Sequence, residues 1–216
     1  MDDQGRRPFS ATQLRLLDTA ERLYAEHGLA HVSNRQIGEA AGQGNTAAVT
    51  YHFGTRTGLI LAIVRRHAAP IEQLRHELLA GCSPGAGPRD LVACLVLPLT
   101  RHLDQLGSTG QATWYARFSA QLLTDPQLHR TVVAESLTSP ATTELLERLG
   151  RSLPVLPPAV RLARGRMASS LLVHTTADQE RALADGSADL TWAQLSDHLA
   201  DALVGLLEAP AHINTP

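Results

Sequence analysis

The chain has 216 residues, 44% of them apolar and 19% charged, with a net charge of −2. That balance describes a globular protein with length for one large domain or two small ones, and it excludes a low-complexity or strongly polyelectrolyte chain. No apolar run reaches the ~18 residues of a membrane span, and residues 1–13 lack the apolar core of a signal peptide, so a cytoplasmic protein without a membrane partner is expected.

Residues 12–27 place Leu14, Leu17, Ala20, Leu23 and Tyr24 at helical spacing with charges opposite them. Thr12 stands at the expected N-cap and Gly28 at the stop. A short second helix follows, with Ser33 and Gln36 at capping-box spacing, Ile37 and Ala40 facing inward, and Gly42 ending it. The turn 42–44 leads to a third short helix over 45–52, with Asn45 as its N-cap and Phe53-Gly54 closing it. Thr55 caps a long fourth helix that runs through Ile60, Ile63, Val64 and Ile71 to Leu79, with Pro70 inside it as an expected kink. After the small-residue stretch 80–88 the helical pattern resumes over 89–107, 111–124, 127–150 (interrupted at Pro140), 157–185 and 191–208. No period-2 alternation is long enough for a sheet. The chain reads as all-α.

Two short helices joined by a glycine-containing turn and preceded by a longer helix form a helix-turn-helix. A helix of about two turns buries one face on its neighbours and offers the other to the DNA major groove. Residues 45–52 suit that task, being uncharged, with small residues for close approach and hydroxyl, amide and imidazole groups for hydrogen bonds. Residues 1–66 carry 8 Arg against 6 Asp and Glu, whereas the remainder carries 11 against 15. The chain has no lysine, so arginine must supply every cationic phosphate contact.

The run from Thr12 to Gly28, the segment Ser33-Asn34-Arg35-Gln36-Ile37-Gly38-Glu39-Ala40-Ala41-Gly42 and above all Tyr51-His52-Phe53-Gly54-Thr55-Arg56-Thr57-Gly58-Leu59-Ile60 resemble the TetR family of bacterial repressors. The turn Gly42-Gln43-Gly44-Asn45 is one residue longer than the commonest family form, and Arg56 stands where lysine is common. The resemblance implies a helix-turn-helix DNA-binding domain over 1–55 and a larger helical bundle over 56–216 that binds an effector and dimerises. It places Asn45, Thr46, Ala48, Thr50 and Tyr51 at or near the groove. It puts His52 and Arg56 on phosphate, and Asn34 and Arg35 on the backbone beside the second helix. Against these readings, Tyr51 could be a core aromatic, His52 a packing residue, and Arg35 and Arg56 plain solvated charges. Ile37, Val49, Phe53 and Leu59 read as packing. The implied function is that of a homodimeric repressor on a palindromic double-stranded DNA operator, released by a small, largely apolar effector. The alternatives are an activator, or a helical ligand-binding or protein-interaction module without DNA binding.

In the second domain, Trp114, Tyr115, Phe118 and Leu122 share one helix, and Met167, Leu171 and His174 share a face of another. Large apolar side chains with a few polar ones line a ligand pocket, and equally fill a core. The stripe Leu195, Leu199, Leu203, Leu206 and Leu207 marks the last helix, and in the family such terminal helices pair across a two-fold axis. Cys82 and Cys94 stand outside any CxxC motif and read as reduced core or surface residues. The histidines are scattered, and no phosphate loop or nucleophile motif occurs. No metal, cofactor or enzymatic activity is expected.

Overall fold

The computed structural model describes residues 9–43, 47–108 and 112–211, and among them every regular element is helical. The chain order is α1 (Ala11–His27), a 3₁₀ turn (Leu29–His31), α2 (Asn34–Ala40), α3 (Ala48–Phe53) and α4 (Arg56–Ala80). There follow α5 (Pro88–Gly107), α6 (Tyr115–Leu122), α7 (Pro126–Ser136), α8 (Pro140–Ser152), α9 (Pro158–Asp185) and α10 (Trp192–Glu208).

Local chemistry explains most boundaries. The cap of α1 is Ser10 rather than Thr12, because Ser10 and Gln13 have capping-box spacing and exchange both bonds: Gln13 N–H donates to Ser10 Oγ, and Ser10 N–H to Gln13 Oε1. The same reciprocal box forms between Ser33 and Gln36 at α2. Ala40, expected inside, is exposed; Ile37 and Gly38 are buried instead. Thr55 caps α4 by accepting from Gly58 N–H at 2.9 Å. The expected cap Asn45 lies outside the described residues. Helix α4 is continuous through Pro70, and its 25 residues span roughly 37 Å.

One core extends from α1 (Leu16, Leu17, Ala20, Tyr24) through α2, α3 and the first half of α4 into α6, where Tyr115, Phe118 and Leu122 join it. Tyr24 and Phe118 meet with ring centroids 6.1 Å apart. A second core joins the end of α4 to α5, α8, α9 and α10 around Leu91, Val92, Val96, Leu145, Leu199 and Leu203.

Polar groups are buried where helices from different parts of the chain meet. Glu21 of α1, His67 of α4 and His102 of α5 form a chain: His67 Nε2 lies 2.8 Å from Glu21 Oε2, and His67 Nδ1 lies 2.8 Å from His102 Nε2. All three are buried, and the Tyr115 ring stacks on His67 with centroids 3.9 Å apart. A consistent proton placement has His67 donating from Nε2 to the carboxylate and a neutral His102 donating from Nε2 to His67 Nδ1. Glu180 of α9 is buried against the start of α6, accepting from Ala116 N–H, Arg117 N–H and Arg117 Nε. Trp114, at the N-cap of α6, makes no side-chain cap, so the Glu180 carboxylate takes that role from another helix.

This packing makes stability depend on pH. Burial, then the neighbouring His67 and Arg66, lower the His102 pKa from 6.5 to about 4. The unfolded chain therefore binds a proton below about pH 6.5 that the native state refuses until about pH 4. Stability is full above that window and falls as pH drops through it. At this chain length each kcal/mol is worth about 2–4 °C, so thermal melts should lose several degrees between pH 7 and pH 4.5. His102→Gln, which keeps a donor for His67, should flatten that slope; an equally steep slope would assign the effect elsewhere.

Gly58, in the first turn of α4, gives a second test, because a Cβ there would overlap the carbonyl oxygen of Phe53 at the end of α3. Alanine is intrinsically better in a helix by about 0.5–1 kcal/mol, so Gly58→Ala sets the clash against propensity. A drop in melting temperature is expected. A rise would show that α3 does not seat on this glycine.

Candidate nucleic-acid interface

The α2–α3 unit is built by burying Ile37, Ala48 and Val49 against α1 and α4. Gly42 takes a φ of 69°, the left-handed conformation that ends α2, while Gln43 N–H returns to the carbonyl of Gly38. Gly54 also takes a positive φ, 72°, at the end of α3, where Thr55 N–H donates to the carbonyl of Phe53 in a tighter turn. With one face anchored, α3 presents Thr50 and Tyr51 outward, and Tyr51 is 81% exposed. An aromatic side chain that large is not held outside a fold by packing. His52 is half-buried, its ring edge-on to Tyr51 at 4.9 Å and tilted against Phe53 at 6.3 Å. On α2, Arg35 is exposed and pairs with Glu39 at 2.7 Å, while Asn34 is half-buried with its Oδ1 shielded and unpaired.

Two of the residues assigned to DNA fall differently. Ala48 is buried on the inward face of α3 and belongs to the core. Arg56 is half-buried and turned toward α1, its guanidinium 5.5 Å from the centroid of the Tyr24 ring and its Nε and Nη2 shielded from solvent without a partner. The reason is local: Tyr24 is wholly buried, and its aromatic face attracts the cation. The same burial raises the Tyr24 pKa, against the lowering influence of Arg56. Arg56 thus ties α4 to α1 and lines an open groove of about 680 Å³ with Leu29, Ile60, Asp125 and Leu128. His52 keeps part of its ring accessible beside the exposed Tyr51. Asn45 and Thr46 lie outside the described residues.

The pocket expected between α6 and α9 is not formed. Tyr115, Phe118 and Leu122 are buried in the core shared with α1, pointing toward Tyr24 and His67. Met167, Leu171 and His174 share the outer, exposed side of α9. The buried group on α6 and the exposed group on α9 do not face each other. Trp114 borders a cleft: it lies beneath the Arg117 guanidinium at 4.1 Å and lines about 320 Å³ with Asp18, Glu21, Arg22, Arg66 and His67. That cleft separates α1 and α4 from the segment before α6, and Asp18 and Arg66 form an ion pair beside it.

The polar groups that matter most to this geometry are Glu21, His67, His102 and Glu180, none of which was singled out from sequence. Glu21 left a signal, since a carboxylate four residues after Leu17 sits in the apolar register of α1. The histidines left none, their partners being on other helices. His27 and His31, four apart, flank the Gly28 break rather than sharing a helix face, and no His, Cys, Asp or Glu cluster among the described residues has metal-site geometry. No helix among them is long and apolar enough to cross a membrane.

Comparison with known proteins agrees with the fold. Residues 16–63 match the model for bacterial regulatory proteins of the tetR family, and residues 93–209 match the tetracyclin repressor-like C-terminal domain. The HTH-type transcriptional repressor AcnR of Corynebacterium glutamicum is 34% identical over 73 residues, which is 34% of this chain and 38% of that protein. The chain thus matches well under half the length of this curated relative. A TetR family transcription regulator from Marinobacter aquaeolei superposes with a TM-score of 0.62 at 13% identity, covering 91% of this chain and 95% of the other. The regulator PfmR from Thermus thermophilus gives 0.56 at 16% identity, over 88% and 97% of the two chains. With an anchored helix-turn-helix at its head and a family match over more than half its length, the chain belongs to the TetR family of bacterial regulatory proteins.

Proposed function

We propose that this protein is a cytoplasmic transcriptional repressor, not an enzyme, that binds double-stranded operator DNA as a homodimer and releases it on binding a small molecule. The observation that carries this reading is the outward face of α3, where Thr50 and the 81%-exposed Tyr51 stand opposite the buried Ala48 and Val49. Residues 1–55 form the reading head and 56–216 the sensing and dimerising part. Arg35 contacts phosphate by exchanging its Glu39 partner, and Asn34 braces the start of α2 beside it.

A single head of this size makes few contacts, and two heads spaced by a DNA turn supply specificity. The exposed stripe of Met167 and Leu171 on α9 supplies the apolar surface for a second copy. For the effector, the cleft at Trp114 is the one that touches both α1 and α4. Its lining of Asp18, Glu21, Arg22 and Arg66 suits a ligand with polar groups rather than the largely apolar one expected from sequence.

The test is fluorescence anisotropy with DNA flanking the protein's own gene. Thr50→Ala and Tyr51→Ala should each weaken cognate binding by about 1–3 kcal/mol and change random-DNA binding little. Because both side chains are exposed, melting temperatures should barely move. Cognate affinity that survives both changes would remove α3 as the reading element. Separately, the double change Met167→Glu with Leu171→Glu should convert a dimer into a folded monomer in sedimentation runs. An undisturbed dimer would place the interface elsewhere.

A further inference from the structure

Cys82 lies in the turn after α4 and is half-buried; Cys94 lies in α5 and is buried. The two thiols are free, yet their sulfur atoms stand 3.4 Å apart, in mutual contact. A disulfide bond is about 2 Å long, so a shift of about 1.4 Å would bring the sulfurs to bonding distance. The Cys82 turn is held in place by Arg148 of α8, whose Nη2 donates to the carbonyls of Ser83 at 2.7 Å and Cys82 at 3.4 Å. Both cysteines line an open cleft of about 290 Å³ with Leu78, Asp90 and Leu97. Cys82 also faces a second cleft, of about 610 Å³, bordered by Arg148 and Arg151. A small oxidant therefore reaches both sulfurs through the first cleft, and Cys82 through the second as well, where Glu144 stands with the two arginines.

We propose that Cys82 and Cys94 are an oxidation site, closing into a reversible intramolecular disulfide when the protein meets a hydroperoxide. The roles of the two sulfurs are unequal. Burial, and then the adjacent Cys82, push the Cys94 thiol up to about 12, which leaves the more accessible Cys82 as the sulfur that reacts first. The Cys82 thiolate attacks a peroxide oxygen, the O–O bond breaks, and the sulfur is oxidised by two electrons to a sulfenic acid while the other oxygen leaves as an alcohol or water. The Cys94 sulfur then attacks the Cys82 sulfur. The S–S bond forms, the S–O bond breaks, and hydroxide leaves with the Cys94 proton as water. A dithiol reductant returns both thiols by exchange.

The bond would fasten the C-terminal end of α4 to α5. The other end of that helix carries Gly58 and Arg56, on which α3 and α1 seat. On the repressor reading above, oxidation therefore changes operator affinity, and this half of the inference rests on that reading.

The experiment treats the reduced full-length protein with hydrogen peroxide. Expected are an intact-mass loss of about 2 Da with both thiols gone, no covalent dimer on a non-reducing gel, and full reversal by dithiothreitol. In Cys94→Ser, Cys82 should instead be trapped by dimedone as a sulfenic acid. Higher oxides without the mass loss, or a disulfide between subunits, would overturn the site. In anisotropy, oxidised and reduced protein should differ in operator affinity by about 5-fold or more, and Cys94→Ser should abolish the difference. A disulfide that forms without moving the affinity overturns the regulatory half. If neither state binds the operator, the repressor reading fails while the mass data still establish the disulfide.

Discussion

The buried chain Glu21–His67–His102 is the constraint from which the rest of the architecture takes its register. A carboxylate inside a core is tolerated only with its hydrogen-bond partners in place, and leaving such a group unsatisfied costs about 1–3 kcal/mol or more. Apolar contacts between α1 and α4 would tolerate sliding by a fraction of a turn, because leucine meets leucine equally well in several positions. The directional contact of 2.8 Å from His67 to Glu21 tolerates far less, and the one from His67 to His102 fixes α4 against α5 in the same way. The reading head is therefore set on the body by polar geometry, and Tyr115, stacked on His67, draws α6 into the same lock.

From that lock a continuous series of contacts reaches α9. Glu180 receives the first-turn N–H groups of α6, so α6 is held at its N-terminus by α9 and along its length by α1. Any movement of α9 against the head must break the Glu180 contacts, unstack Tyr115 from His67, or carry α1 along. An effector lodged at Trp114 would press on the same place, because Glu21 and His67 line that cleft. This is a route of physical contact, and coupling along it requires an element with two arrangements. The short α6, with no side-chain cap of its own, is the element least fixed by its own sequence.

How much of this was legible in the sequence depends on the range of the interaction. Capping boxes at Ser33–Gln36, the stops at Gly28, Gly42 and Gly54, and the Thr55 cap are all local, and each stands where residue spacing places it. The three-helix head follows from them. Thr50 and Tyr51 were readable as outward because Val49 beside them is plainly inward. What was not legible is the partner of each face. The aromatic run from Trp114 to Phe118 declares a face but not whether that face looks into a cavity, a core or another domain, and the answer here is α1. Cys82 and Cys94, twelve residues apart on different elements, match no motif and meet only because α5 folds back beside the end of α4.

Arg56 shows how the placement of one side chain alters the physical picture. As a phosphate contact it would have made the first turn of α4 part of the electrostatic footprint on DNA, exchanging a counterion for a cation. Turned inward over Tyr24, it instead sets how α4 leaves the head. The described outer face of α2 and α3 then offers one arginine, already paired with Glu39, beside the uncharged Thr50 and Tyr51. Phosphate attraction fixes position without reading sequence, whereas hydroxyl and aromatic edges discriminate between bases. Within the chain, the Tyr24–Arg56 contact and the Glu21–His67–His102 chain fix how α1, α4 and α5 sit against one another.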